Sequence, residues 1–154
     1  MDLMAFLKWL PKVRTFCFAI PLPIGCKIIG TLLAIYSVII VILLGLSFEE
    51  MHPDAMINLI MYIAIETATL IFSVVLLVGL FLHRDNFVKL FLVFYIFILA
   101  LLLSHAVLLI IKLVVVLMPP WIAQQYLVMS LFEMIIGCYF FIVVHSYYAT
   151  KTSS

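Results

Sequence analysis

Glu66 and Glu133 stand inside runs of apolar residues, IAIETATLIF at 63–72 and SLFEMIIGCYF at 130–140. Carboxyl groups in such surroundings can do three kinds of chemistry. Protonated, they donate hydrogen bonds that fasten helices together, each worth about 0.6–2 kcal/mol. Titrating, they pass protons or hold a cation. Turned towards a neighbour, they recognise a polar group on another protein's transmembrane helix. An ionised Glu at the bilayer midplane costs several kcal/mol, so two facing acids are expected to be neutral or to share a single proton.

Other polar residues fall into register with the acids. Asn58, Tyr62, Glu66, Thr69 and Ser73 are spaced by 4, 4, 3 and 4, which keeps them on one helical face. Gln125, Met129, Glu133 and Gly137 recur every fourth residue. Gly30, Ala34, Ser37 and Gly45 form a stripe of small residues of the kind that lets helix backbones approach in lipid. Ala100 pairs with Ser104, and His105 with Lys112, on adjacent faces. The expected intramembrane polar cluster is therefore Glu66, Glu133, Asn58, Thr69, Ser73, Ser37 and His105, with Gly30, Ala34, Gly45 and Gly137 as helix-packing positions. His105 would bond across helices as a neutral imidazole, or act as a pH-sensitive partner of Glu66 or Glu133. His52, His83 and His145 are placed at or near the interfaces.

Catalysis has little to rest on. There is no GxSxG, HExxH, Gly-rich phosphate loop or paired CxxC. No two histidines stand at metal-ligand spacing and no cysteine lies near one, so neither a metal site nor a cofactor is expected. Cys17 and Cys26 flank the first apolar run, where they are candidates for reversible palmitoylation. Cys138 is expected to be a packing residue.

The elements that must position these residues follow from composition. Of 154 residues, 69% are hydrophobic and 10% charged, where soluble domains carry about 25% charged residues. The mean hydropathy is +1.43. A net charge of +1 offers no basic excess for nucleic acid. Lys8, Lys12 and Arg14 interrupt the start of the chain and argue against a cleaved signal peptide. A span needs about 20 apolar residues, and four segments qualify: 25–46, 55–82, 87–116 and 121–144. Pro21 and Pro23 are expected to prevent an earlier start of the first. Counted from Asp54 and Trp121, each acid lies twelve residues in, at about 18 Å and hence at one depth.

Short connections force neighbouring spans to run antiparallel, which predicts an all-α membrane protein: an up-down four-helix transmembrane bundle. Seven of the eight basic residues lie on one side if both termini are cytosolic, against Lys112 alone on the other. The expected organisation is a cytosolic segment at 1–24 containing an interfacial helix around Lys8, the bundle at 25–148 and a short cytosolic tail at 149–154. VVVLMPPW is expected to bend along the outer interface, with Trp121 as anchor.

The stretch RTFCFAIPLPIGCKIIGTLLAIYSVI, together with the four-span plan, resembles small insect four-span proteins related to the lysosome-associated transmembrane family. In that family a short cytosolic segment containing cysteine leads through a glycine into the first span. The cysteine cluster is reduced here to Cys17, with Cys26 further on, and the final ATKTSS carries no PPxY motif, so the ubiquitin-ligase recruitment implied by the family is not expected. The sequence-level expectation is a non-enzymatic protein that organises, escorts or scaffolds integral membrane proteins, itself included, in plasma or endolysosomal membranes. The alternatives are a proton- or cation-coupled transporter or channel subunit, and a structural junction component.

Overall fold

A computed structural model of the chain describes residues 12, 15–16, 20–47, 49, 53–115 and 120–152. Four long helices dominate: α1 (Leu22–Leu46), α2 (Pro53–Phe81), α3 (Asp85–Val114) and α4 (Pro120–Thr152). Each is long and apolar enough to cross a bilayer. The chain is an integral, multi-pass, all-α membrane protein. Each helix packs along its predecessor, and α4 closes the ring against α1. A two-residue antiparallel pairing, Thr15–Phe16 with Ile20–Pro21, precedes α1.

Several boundaries differ from expectation for identifiable reasons. Pro21 and Pro23 do not delay α1, because proline is compatible with the first helical turn and Pro23 occupies it. Pro120 likewise opens α4. That helix runs eight residues past Val144, since His145, Ser146, Tyr147 and Tyr148 continue the turn instead of ending it. The tail placed at 149–154 is thus helical through Thr152, where Lys151 pairs with Asp85 at the start of α3 at 2.9 Å. The interfacial helix expected around Lys8, the Cys17 side chain, His52 and the segment 116–119 lie outside the described residues.

The tight link between α2 and α3 is built by its backbone. Arg84 N–H donates to the Gly79 carbonyl at 2.9 Å, with His83 between them at φ 53°. This is the left-handed cap that lets a helix stop in one residue. A Cβ on Gly79 would stand 2.6 Å from the Phe87 Cβ, so glycine is what brings the end of α2 against the start of α3.

The inward stripe of α1 is Leu22, Cys26, Ile29, Leu33, Ser37 and Ile40. Gly30 belongs to this contact, because a Cβ there would come within 2.8 Å of Leu77 on α2. Ala34 is half-buried. Gly45 is not a packing position: it is exposed, and nothing lies within 4 Å of where its Cβ would be. Cys26 is completely buried, so its thiol is not presented to a modifying enzyme and the palmitoylation expectation fails for it. Cys138 is exposed on the bundle's outer surface, not packed inside. The larger part of the core stacks Phe91 on Tyr95, centroids 4.9 Å apart, and Tyr95 on Phe141 at 6.4 Å.

Candidate intramembrane acid site

Glu66 lies thirteen residues beyond Pro53 and Glu133 thirteen beyond Pro120. Both helices run in the same direction, so each acid sits about 20 Å along its helix. They share one level and act directly on each other's charge. Glu66 is 3% exposed. Its neighbours on α2 are buried with it: Asn58, Tyr62, Thr69 and Ser73 all face the interior. The spacing read as one polar face is one face.

α4 presents its interior differently. Its buried row is Ala123, Tyr126, Ser130, Gly137 and Phe141, while Gln125 and Met129 are exposed. Glu133 therefore stands at the edge of the inward face, half-buried, where α4 turns towards α1. Two phenols meet it there. Tyr36 from α1 and Tyr62 from α2 both donate to Glu133 Oε1. Tyr36 was not singled out from the sequence, although a tyrosine in mid-span, away from the interfaces where this residue concentrates, is a signal that its hydroxyl has a buried partner.

Glu66 is held more loosely. Ser37 sits beside it, yet neither Ser37 Oγ nor Glu66 Oε2 has a partner at hydrogen-bonding distance among the described residues. Both acids line a cavity of about 230 Å³ with Tyr36, Thr69, Tyr95 and Gly137. The remaining walls are apolar, among them Leu32, Leu102 and Phe132. A Cβ on Gly137 would come within 3.0 Å of the Tyr95 hydroxyl, so the glycine lets that ring into the wall. Leu32, Tyr36 and Phe132 are 49%, 37% and 63% exposed. These three mark a mouth between α1 and α4, the least extensively packed pair of adjacent helices.

The other polar residues form a separate group. Lys112 donates to Asn58 Oδ1 at 3.0 Å. His105, fully buried, has Ser130 Oγ at 3.4 Å from its Nδ1 and the Tyr62 ring at 5.7 Å. It is a neighbour of Tyr62 and Ser130 and not a direct partner of either acid, which it reaches only through Tyr62. Thr69 and Ser73 donate to the backbone carbonyls of Ile65 and Leu70 within α2. His145 lies inside α4, stacked on Phe141 at 6.3 Å, and is 4% exposed. Among the described residues no group of three His, Cys, Asp or Glu side chains is arranged to hold a metal ion.

The arrangement can accept a proton or a cationic donor at Glu66 while Glu133 stays fixed by two hydroxyls. No protein-family model, curated protein or solved structure matches the chain.

Proposed function

We propose that this is a non-enzymatic multi-pass membrane protein that organises or escorts other integral membrane proteins, meeting them inside the bilayer at the α1–α4 seam. One observation carries the reading: a pair of acids at mid-helix depth faces a cavity whose mouth lies between exposed apolar residues of two adjacent helices. Contacts between helices in lipid gain little from burying apolar surface, so polar groups and close packing select the partner. The cytosolic placement of both termini is part of the same proposal. Lys27, Arg84, Lys89 and Lys151 share one end of the bundle, as the positive-inside rule requires of the cytosolic side. The four-span plan and the resemblance of the first span favour plasma or endolysosomal membranes.

The test is a photo-crosslinking amino acid placed at Leu32 or Phe132, with Val107 on the outer face of α3 as control. The expected result is a discrete adduct at the seam, identified by mass spectrometry as an integral protein or a second copy, and lost in Glu66→Gln/Glu133→Gln. A strictly monomeric particle in mild detergent, with equal adducts at Val107, would overturn it.

A second reading, proton- or cation-coupled transport, draws on the unpartnered Glu66 oxygen, because intramembrane carboxyls mark ion pathways. Reconstituted vesicles test it: a flux abolished in the double Gln variant supports transport, and wild-type vesicles without flux dismiss it.

A further inference from the structure

The cavity's two acids are held unequally, and the inequality specifies a ligand. Glu133 Oε1 accepts two phenolic O–H bonds, which suits a carboxylate, an acceptor only. Glu66 Oε2 is buried without a donor, and so is the hydroxyl of Ser37 beside it. A buried acceptor lacking its partner costs free energy that an arriving donor recovers. The walls narrow the choice of donor. A metal ion would need six or more oxygen ligands, or several nitrogen or sulfur ones, and the cavity is walled mainly by Leu, Ile and aromatic side chains. An ammonium group brings several N–H donors and one positive charge, and its carbon chain matches apolar walls. The aromatic rings of Tyr36 and Phe132 also line the cavity, and aromatic rings attract cations. A volume of about 230 Å³ lies below the range of about 300–1,000 Å³ for drug-sized ligands, so the occupant is small.

We infer that the cavity between α1 and α4 is a binding site for an alkylammonium group, with the Glu66 carboxyl receiving its N–H donors and the cavity mouth admitting it sideways from the bilayer. The inference deepens the preceding proposal and rests on it, since it names the chemistry recognised at the seam. With Glu133 as the carboxylate, Glu66 carries the proton in the empty site. Binding then replaces one cation by another: R–NH3+ enters, the Glu66 O–H bond breaks, its proton leaves to solvent, and the carboxylate left behind pairs with the ammonium. Charge in the cavity is conserved. The titratable groups facing Glu66 are Glu133 on α4 and the phenols of Tyr36, Tyr62 and Tyr95 on α1, α2 and α3, with His105 of α3 behind Tyr62.

Two sources share this chemistry, a free amine in the bilayer and a lysine on a partner's transmembrane helix. The full chain in nanodiscs is titrated with hexylammonium, with 1-hexanol as the neutral control. In a second arm it meets an apolar transmembrane peptide bearing one central Lys, against the same peptide with norleucine. Infrared difference spectra read the Glu66 carboxyl directly. Saturable hexylammonium binding, with loss of one carboxylic-acid C=O band and release of one proton, supports a free amine. Binding of the Lys peptide alone, with the same band loss, supports the same site with a protein-borne ammonium. Affinity should fall about tenfold or more in Glu66→Gln, which keeps shape but removes the charge. Leu32→Trp, which fills the mouth and spares both acids, should weaken binding as well. Equal binding of 1-hexanol and hexylammonium, unchanged affinity in Glu66→Gln, or no binding in either arm overturns the inference. If crosslinks at Leu32 persist while both arms are silent, the ammonium site falls and the organiser reading stands; amine binding without crosslinks has the opposite consequence.

Discussion

The two phenols on one carboxylate oxygen make a prediction about additivity. Tyr62→Phe and Tyr36→Phe each remove a single hydroxyl and leave the ring, so neither opens a cavity larger than one oxygen atom. Each loses one hydrogen bond to Glu133. Such bonds to charged groups are worth about 1.5–3 kcal/mol in soluble proteins but average nearer 0.6 kcal/mol within membranes, so each single variant should lose about 1 kcal/mol. In either one the remaining phenol still serves Oε1. The double variant removes both donors, leaving a carboxylate without them in a low-dielectric setting, and that orphaned group adds roughly 1–3 kcal/mol. The pair should therefore cost about 3–5 kcal/mol, clearly more than the sum of the singles. Reversible unfolding in mixed micelles of mild detergent and sodium dodecyl sulfate measures all three, and repeating the series in Glu133→Gln should abolish the excess. A double-variant loss no greater than the sum, or an excess that survives in Glu133→Gln, would refute the assignment of both hydroxyls to one carboxylate.

Three further outcomes test the frame that holds the site. Gly30→Ala should destabilise by about 1–3 kcal/mol, because the new methyl meets Leu77 at 2.8 Å, whereas Gly45→Ala, with open space around it, should be neutral or gain up to about 1 kcal/mol of helix propensity; the same micelle titration reads both. His83→Gly should stabilise by about 1 kcal/mol by relieving the left-handed conformation, while Gly79→Ala should destabilise by at least as much, since its Cβ would press on Phe87 and the Arg84 carbonyl. The Asp85–Lys151 pair, with side chains 41% and 33% exposed, should contribute at most about 1 kcal/mol in a double-mutant cycle and should weaken further in high salt.

How much of this was readable in advance depends on what kind of signal each residue leaves. Lipid and protein interior are equally apolar, so the hydrophobic periodicity that orients a helix in a soluble protein is nearly silent here. The four helices were legible because length and hydropathy need no orientation. The face of α2 was legible because Asn58, Tyr62, Glu66, Thr69 and Ser73 are polar, and polar groups in lipid leave a directional mark. On α1 the small residues pointed ambiguously: Gly30 packs, but Gly45, more than four turns on, has rotated outward, and the true inward row runs through Cys26, Ile29, Leu33 and Ser37. Tyr36 was missed because it stands one position from Ser37, about 100° round the helix, towards α4 instead of the bundle axis. The end of α4 was missed because aromatic and polar residues after Val144 resemble an interface, while tertiary contact at His145 and the pairing of Lys151 with Asp85 extend the helix.

That outward quarter-turn explains why acids, phenols and cavity occur together at one seam. Glu133 sits beside the buried row of α4, between Ser130 and Gly137, and so points towards the gap shared with α1. Tyr36 occupies the matching position on α1 and closes on it. A pair of acids serving only to fasten helices would sit on the bundle axis with every polar atom satisfied, because each bond left unmade wastes the stabilisation that justifies burying it. Here Glu133 is satisfied twice over, while Glu66 keeps one buried oxygen unmatched beside an equally unmatched Ser37 hydroxyl. An arrangement that fixes one carboxyl and holds the other open towards a side entrance costs stability in the isolated chain. The cost makes physical sense when a donor from outside the chain completes the site.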